Sequence, residues 1–332
     1  MLSFHLAVAQ LQWIRSNPGG GGVFNTGKIL PNGSVWIASD LSGAYVSYDN
    51  GKSWVIRGAS HGLTETHISA IGFIPGDSNI VLIGTESGIF KSKDGGETFY
   101  SIHRGGYITD IAFSQTDEST GYASSQQNFN LPNATILKTT DGGDTWVSVG
   151  NLPDSLWILK IVVHPLSADT VFVLTGMGRW TCKAAKVFRS EDGGISWHDI
   201  TATLGSEIMD IAFSPDSPYL FYLTTMNADC QSPFYWTDLA GNLFVSNNNG
   251  NSWNQINSIT GLVFPSFNDT IRIIDPREPF LWNANAGTFL STNGGYTFTK
   301  ISSPSHWDVF FNQRSLLVLW NHLSRHCPHY HI

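Results

Sequence analysis

Three carboxylates stand in short segments of similar make-up: Asp40 in Ser39-Asp-Leu-Ser-Gly-Ala-Tyr45, Glu86 in Thr85-Glu-Ser-Gly-Ile-Phe90, and Asp238 in Thr237-Asp-Leu-Ala-Gly-Asn-Leu-Phe244. Two carboxyl groups held roughly 5 to 9.5 Å apart can hydrolyse a glycosidic bond, one donating a proton while the other serves as base or nucleophile. Near them in the chain lies a set suited to sugar rings: Arg179, Trp180 and Lys183 in one long segment, and Phe234, Tyr235 and Trp236 in another. Rings of this kind stack on sugars, but they also pack loops against a scaffold, and acids in such segments also cap hairpins. Both readings stand at this point. No cofactor motif is present. The tail His326-Cys-Pro-His-Tyr-His331, with His322 beside it, has a chelator's composition. Its ligands crowd into one terminal segment without a second cluster, so no metal site is expected.

The elements that must position these residues are set by an internal repeat. Six segments share a pattern: a hydroxyl residue, then Asp or Asn at the third place, Gly at the fifth, Ser or Thr at the seventh and an aromatic at the eighth. They run from Ser47 to Trp54, Ser92 to Phe99, Thr139 to Trp146, Ser190 to Trp197, Ser246 to Trp253 and Ser291 to Phe298. The third place is filled by Asp49, Asp94, Asp141, Asp192, Asn248 and Asn293, at spacings of 45, 47, 51, 56 and 45 residues. A period of this length marks a repeat architecture. Each unit holds four short apolar segments separated by turn residues, which is the blade of an all-β propeller. Within the box, the Asp or Asn should bond to its own turn, the Gly should take a positive φ, and the aromatic should bury between sheets. The box therefore joins the third strand to the fourth, and its acids are structural.

A chain of 332 residues holds about seven such units. After the sixth box, Trp307–Phe311 and Leu316–Trp320 resemble the first two strands of another blade, but no seventh box follows. Leu11–Arg15 looks like a fourth strand without partners. The expected fold is seven-bladed, the last blade being incomplete and closed by the N-terminal strand. The propeller should span 10–320, with 1–9 a remnant of a secretion signal and 321–332 an atypical tail.

In such blades the box and the loop between first and second strands share one face. The loops between second and third strands share the other face with the connections between blades. Asp40, Glu86, Asp238 and the long aromatic segments fall on that second face, where function is expected. Asp40 and Glu86 sit in adjacent blades.

Composition bounds the partners. The net charge is −8, and no run of Lys or Arg occurs, so a nucleic-acid binder is excluded. The aliphatic stretch Ser315–Trp320 is far short of the roughly 20 residues of a membrane span. The apolar start ending in Ala-Val-Ala and three Asn-x-Ser/Thr sequons suggest a secreted monomer. In that setting Cys182 and Cys230, in neighbouring long loops, are a candidate disulfide with Cys327 left over; two buried free thiols explain the count equally well.

The six boxes resemble those of Asp-box (BNR repeat) propellers: sialidases, the xyloglucanases of glycoside hydrolase family seventy-four, sortilin-type receptors and the photosystem II assembly propeller. The Phe/Tyr-Arg-Ile-Pro motif of sialidases is absent. Residues 17 to 54, with Gly19–Gly22 ahead of Ser39-Asp-Leu-Ser-Gly-Ala-Tyr45, look like the first blade of the xyloglucanase family. The resemblance implies that Asp40 matches that family's catalytic base in an inverting hydrolysis of β-glucan, with Glu86 or Asp238 as acid. Arg179, Trp180, Tyr235 and Trp236 would bind the polysaccharide. Those enzymes cleave between two tandem propellers, and one propeller is present here. The rival expectation is a non-catalytic disc that binds a protein partner, as in sortilin-type and assembly-factor propellers.

Overall fold

The computed structural model describes residues 24–128, 131–152, 157–176, 185–204, 207–226, 241–275, 287–302, 308–311 and 316–319. Six four-stranded antiparallel sheets follow one another along the chain. Blade 1 holds β1 (Phe24–Ile29), β2 (Val35–Ser39), β3 (Ala44–Ser47) and β4 (Val55–Arg57); blade 2 holds β5 (Ile68–Ile74), β6 (Asp77–Thr85), β7 (Gly88–Ser92) and β8 (Tyr100–Arg104). Blade 3 holds β9 (Ile111–Phe113), β10 (Gly121–Asn128), β11 (Leu131–Thr139) and β12 (Val147–Asn151); blade 4 holds β13 (Trp157–Val163), β14 (Val171–Gly176), β15 (Val187–Ser190) and β16 (His198–Asp199). Blade 5 holds β17 (Glu207–Phe213), β18 (Phe221–Met226), β19 (Leu243–Ser246) and β20 (Asn254–Asn257); blade 6 holds β21 (Leu262–Ser266), β22 (Thr270–Asp275), β23 (Gly287–Ser291) and β24 (Thr299–Ser302).

Six complete blades are thus described, where the repeat arithmetic anticipated seven. In place of the seventh stands a two-stranded sheet of β25 (Asp308–Phe311) and β26 (Leu316–Leu319). The missing box explains this: without it no hairpin carries the chain from a third strand to a fourth. β25 lies against β1, so the last sheet meets the first around the ring. The expected closing strand, Leu11–Arg15, lies outside the described residues.

The strand residues read as apolar runs because each sheet is covered on both sides by its neighbours. All five residues of β2 are buried, as are all four of β3. Outer strands are different: Val55, Ile56, Tyr100 and Val147 are exposed. The box aromatics fill the seams as the sequence implied. Phe99 meets Trp36 of the preceding blade edge to face at 6.5 Å, and Trp146 packs with Leu82 and Ile89 of blade 2. Trp54, Trp253 and Phe298 are only half-buried.

The six boxes share one hydrogen-bond pattern. The first hydroxyl donates to the Asp or Asn Oδ1 at 2.7 to 2.9 Å and accepts the Gly N–H at 2.7 to 2.9 Å. Oδ1 also accepts the N–H of the seventh residue at 2.8 to 3.0 Å. The Gly takes φ of 81° at Gly51 and 90° at Gly96, a region that suits glycine. Just before it, Asn50 and Asn249 adopt φ of 58° and 57°, where the other boxes have a second Gly.

Neighbouring blades are latched through these boxes. In blades 2, 3 and 4 a cation directly precedes the box hydroxyl. Lys91 donates to Gly142 O and Asp144 of blade 3, Lys138 pairs with Asp169 of blade 4, and Arg189 donates to Asn249 O and Asn251 of blade 5.

Polar side chains on the innermost strands tie adjacent blades as well. Asn25 donates to Ile68 O, Ser69 to Ile108 O and Thr109 to Ile158 O, each one blade onward. Asp110 accepts Ile161 N–H, and Asp210 accepts both Val263 N–H and the Lys160 amine. Most of these residues sit at or beside register shifts that re-aim a side chain.

Candidate functional site

The two faces of the disc are distinguishable by their own hydrogen bonds. Box turns bond to the first-to-second loops: Gly95 N–H to Asn79 O, Gly142 N–H to Ser119 O, and Gly193 N–H to Asp169 O. On the opposite face, Gly43 N–H reaches Thr66 O and Gly105 N–H reaches Ser87 O. Asp40 and Glu86 lie in the turns of this second face, immediately after β2 and β6, as the sequence placed them.

Each turn is capped by the hydroxyl that precedes its acid. In the first, the Ser39 hydroxyl accepts the N–H groups of Leu41 and Ser42 at 3.2 and 3.3 Å. In the second, Thr85 Oγ1 accepts Ser87 N–H at 3.3 Å and donates to Gly88 O at 3.0 Å. Short hydroxyl side chains bond readily to their own turns. Glu86 is instead directed to blade 2's entry segment, where its Oε1 lies 2.8 Å from His67 Nδ1.

His67 is a residue that sequence reasoning passed over. Its ring meets Tyr107 edge to face at 6.2 Å, with the rings 87° apart. Burial first, and then the Glu86 charge, push the Tyr107 phenol above its ordinary value of 10.0. Tyr107 also bridges Gln126 through paired backbone bonds of 2.7 and 3.0 Å. Glu86, His67 and Tyr107 form a carboxylate–imidazole–phenol row running from blade 2 to the entry of blade 3. In a Glu–His pair of this geometry the carboxylate fixes the ring's orientation. Neither His67 nor Tyr107 stands in a repeat motif, which is why composition and spacing did not reveal them.

A further carboxylate on this face was also missed. Glu207 opens β17 and pairs with Met226 at the end of β18, which puts it at the same end of blade 5. Burial pushes its carboxyl above the usual value. The box acids behave oppositely. The hydroxyls of Ser53 and Thr98 are the largest of the influences that hold Asp49 and Asp94 at about 2. At Asp141 burial pushes upward, yet Thr145 and Thr139 bring it to about 2, and Asp192 is also held low, chiefly by Ser196. Their oxygens are occupied by their own turns, in keeping with a structural role.

Asp238, Arg179, Trp180, Lys183, Phe234, Tyr235, Trp236, Cys182, Cys230 and Cys327 lie outside the described residues, as does the His-rich tail. Among the described residues no group of three or more His, Cys, Asp or Glu could hold a metal ion, and no helix is long and apolar enough to cross a membrane.

The family model described as sortilin, neurotensin receptor 3, matches residues 134–260. A xyloglucanase of Hypocrea jecorina is 26% identical over 241 residues, covering 63% of this chain and 27% of that protein. The chain resembles a single propeller of a xyloglucanase-type glycoside hydrolase. An ancestral GH74 enzyme superposes with a TM-score of 0.65 at 22% identity, over 90% of this chain and 41% of the other. YCF48 bound to D1 peptide superposes with a TM-score of 0.61 at 13% identity, over 90% of both chains. The structural likenesses establish the propeller fold. The chain spans about a quarter of the length of the xyloglucanase relative and under half of the GH74 enzyme.

Proposed function

We propose that this chain is a secreted, carbohydrate-directed propeller that receives a β-glucan-like polysaccharide on the face opposite the boxes. The observation that carries this reading is the placement of two carboxylates in the turns after β2 and β6, on one face of adjacent blades. Ser39 and Thr85 take the turn bonds, and the carboxylates beside them face the same side of adjacent blades. Asp40 is the candidate base, activating water for an inverting displacement. Glu86 and Asp238 are candidate proton donors, and Glu207 joins them because a carboxyl raised by burial stays protonated nearer neutral pH, as a general acid requires. Arg179, Trp180, Tyr235 and Trp236 are the proposed sugar contacts. The 26% identity to a xyloglucanase supports this reading. The deciding experiment is reducing-sugar release from xyloglucan and related glucans by wild type and by Asp40→Ala. Release that disappears in the variant supports hydrolysis; binding without release supports a glycan-binding disc. The absence of both overturns the reading.

The second reading is a disc that binds a protein partner without chemistry. The sortilin-type match over residues 134–260 and the likeness to a peptide-bound propeller favour it. It predicts a partner whose binding is unaffected by any glucan.

A further inference from the structure

The face carrying the boxes holds a cavity that neither reading above uses. Its volume is about 580 Å³, within the range of small-ligand sites. It opens where the inner strands of blades 1, 2 and 3 run out into their first-to-second loops. Ile71 and Phe73 of β5, with Ile111 and Phe113 of β9, form its apolar wall, and Pro31 and Pro75 edge it. Three polar side chains line the same space: Lys28 on β1, and Gln115 and Glu118 in the loop after β9.

Charge is what gives this cavity a preference. Lys28 and Glu118 carry opposite charges, and neither has an ion-pair or hydrogen-bond partner among the described residues. This is unusual for the molecule, since Lys91, Lys93, Lys138, Lys160, Arg57 and Arg189 are each paired with a carboxylate. Glu118 lies over the turn at Pro75-Gly76. A side chain at Gly76 would bring its Cβ to 2.7 Å from Glu118 Oε1, and the φ of 91° there suits glycine. The two charges belong to blades 1 and 3, with β5 of blade 2 running between them. A ligand that answers both needs an anion and a cation separated by a strand's breadth, joined by an apolar body. A single amino acid carries both charges on one carbon. Three extended residues span roughly 10 Å.

We propose that this cavity binds a short apolar peptide with both termini free, its carboxylate on Lys28 and its ammonium on Glu118. The peptide's side chains lie against Phe73 and the edge of Phe113, with buried Ile71 and Ile111 behind them, and Gln115 is placed to bond a backbone amide. Such a ligand is neutral overall, so the chain's net charge of −8 does not oppose its approach. The site is on the opposite face from Asp40 and Glu86, so it stands or falls apart from the glycan reading.

The probes are the tripeptide Leu-Ala-Leu, its N-acetylated form and its C-terminal amide, titrated calorimetrically against the full chain, Glu118→Gln and Lys28→Met. Both substituted positions lie at the mouth of the cavity, and circular dichroism checks that the variants remain folded. The expected result is saturable binding of the free tripeptide, with acetylation weakening it about tenfold in the wild type and by much less in Glu118→Gln. Amidation should likewise weaken binding to the wild type and matter little in Lys28→Met. Tenfold corresponds to about 1.4 kcal/mol, the scale of one charge-assisted hydrogen bond. The proposal is overturned if the free tripeptide does not bind, or if the capped peptides bind the wild type as well as the free one. It is also overturned if each cap costs as much in its matching variant as in the wild type.

Discussion

On the box face, six turns spaced 45 to 56 residues apart repeat the same hydrogen bonds to within 0.2 Å. On the opposite face the turns share only a hydroxyl that accepts the N–H two residues on, as at Ser39 and Thr85. The contrast follows from where the side-chain oxygens go. A box places a hydroxyl and an acid or amide in one short turn, and each consumes the other's capacity together with that of the backbone. In the turn after β6 the Thr85 hydroxyl bonds its own turn, and Glu86 is directed toward His67. A carboxylate spent on its own loop contributes to stability, whereas one turned toward a neighbouring segment is available for a ligand.

Breaking the box face should have the larger effects. Phe99→Ala removes a buried ring from the seam with Trp36 and should lower stability by about 3 to 5 kcal/mol, read from chemical denaturation; a change under 1 kcal/mol would show that the seam repacks. Asp141→Ala should cost about 1 kcal/mol, comparable to losing a cap. Asp141→Asn should cost much less, because Asn248 and Asn293 already make the same Oδ1 contacts. Equal losses in both variants would mean that the charge, rather than the geometry, holds the turn.

A pH effect sharpens the same comparison. His164 accepts Leu166 N–H on Nδ1 at 3.0 Å, so its Nε2 carries the proton shared with Asn249 Oδ1 at 3.1 Å in the blade 5 box. Burial is the main cause of its lowered pKa. A histidine depressed in the fold contributes stability above its unfolded value of 6.5, and that stability is lost as pH falls below 6.5. The box acids, depressed to about 2, should hold until the pH falls from about 4 toward 2. Acid unfolding should therefore show an early, small loss that His164→Gln reduces, His103, also depressed by burial, supplying the rest, followed by a larger one below pH 4. The smallest effect on stability belongs to the other face. Glu86→Gln breaks an exposed pair and should change stability by less than about 0.5 kcal/mol, while weakening glucan binding if the proposed function holds. A large destabilisation there would mean that Glu86 is structural after all.

Much of the fold was legible because the repeat writes it six times. The box pattern located every third-to-fourth hairpin, and the turn positions of Asp40 and Glu86 followed from strand order alone. The seventh blade was anticipated from length and period, but those measure how much chain is present and not whether a box exists to build the hairpin. The Asn25, Ser69 and Thr109 staples could not be read, since an isolated polar residue in a strand carries no sign of the blade its side chain will reach. His67, Tyr107 and Glu207 escaped for a related reason. Each stands at the start of its blade, outside the repeated box.

The cations ahead of the boxes carry a consequence for how the disc comes apart. Lys91, Lys138 and Arg189 make a relay in which each blade from the second to the fourth grips the next. Val245 and Leu290 hold the same place in blades 5 and 6 and offer no charge. Blades 2 to 5 are thereby linked in series; Val46 leaves the seam between blades 1 and 2 without this grip too, but Arg57 pairs with Glu97 there, so opening should begin between blades 5 and 6. Amide exchange would register that order, with the strands of blade 6 losing protection before those of blade 3.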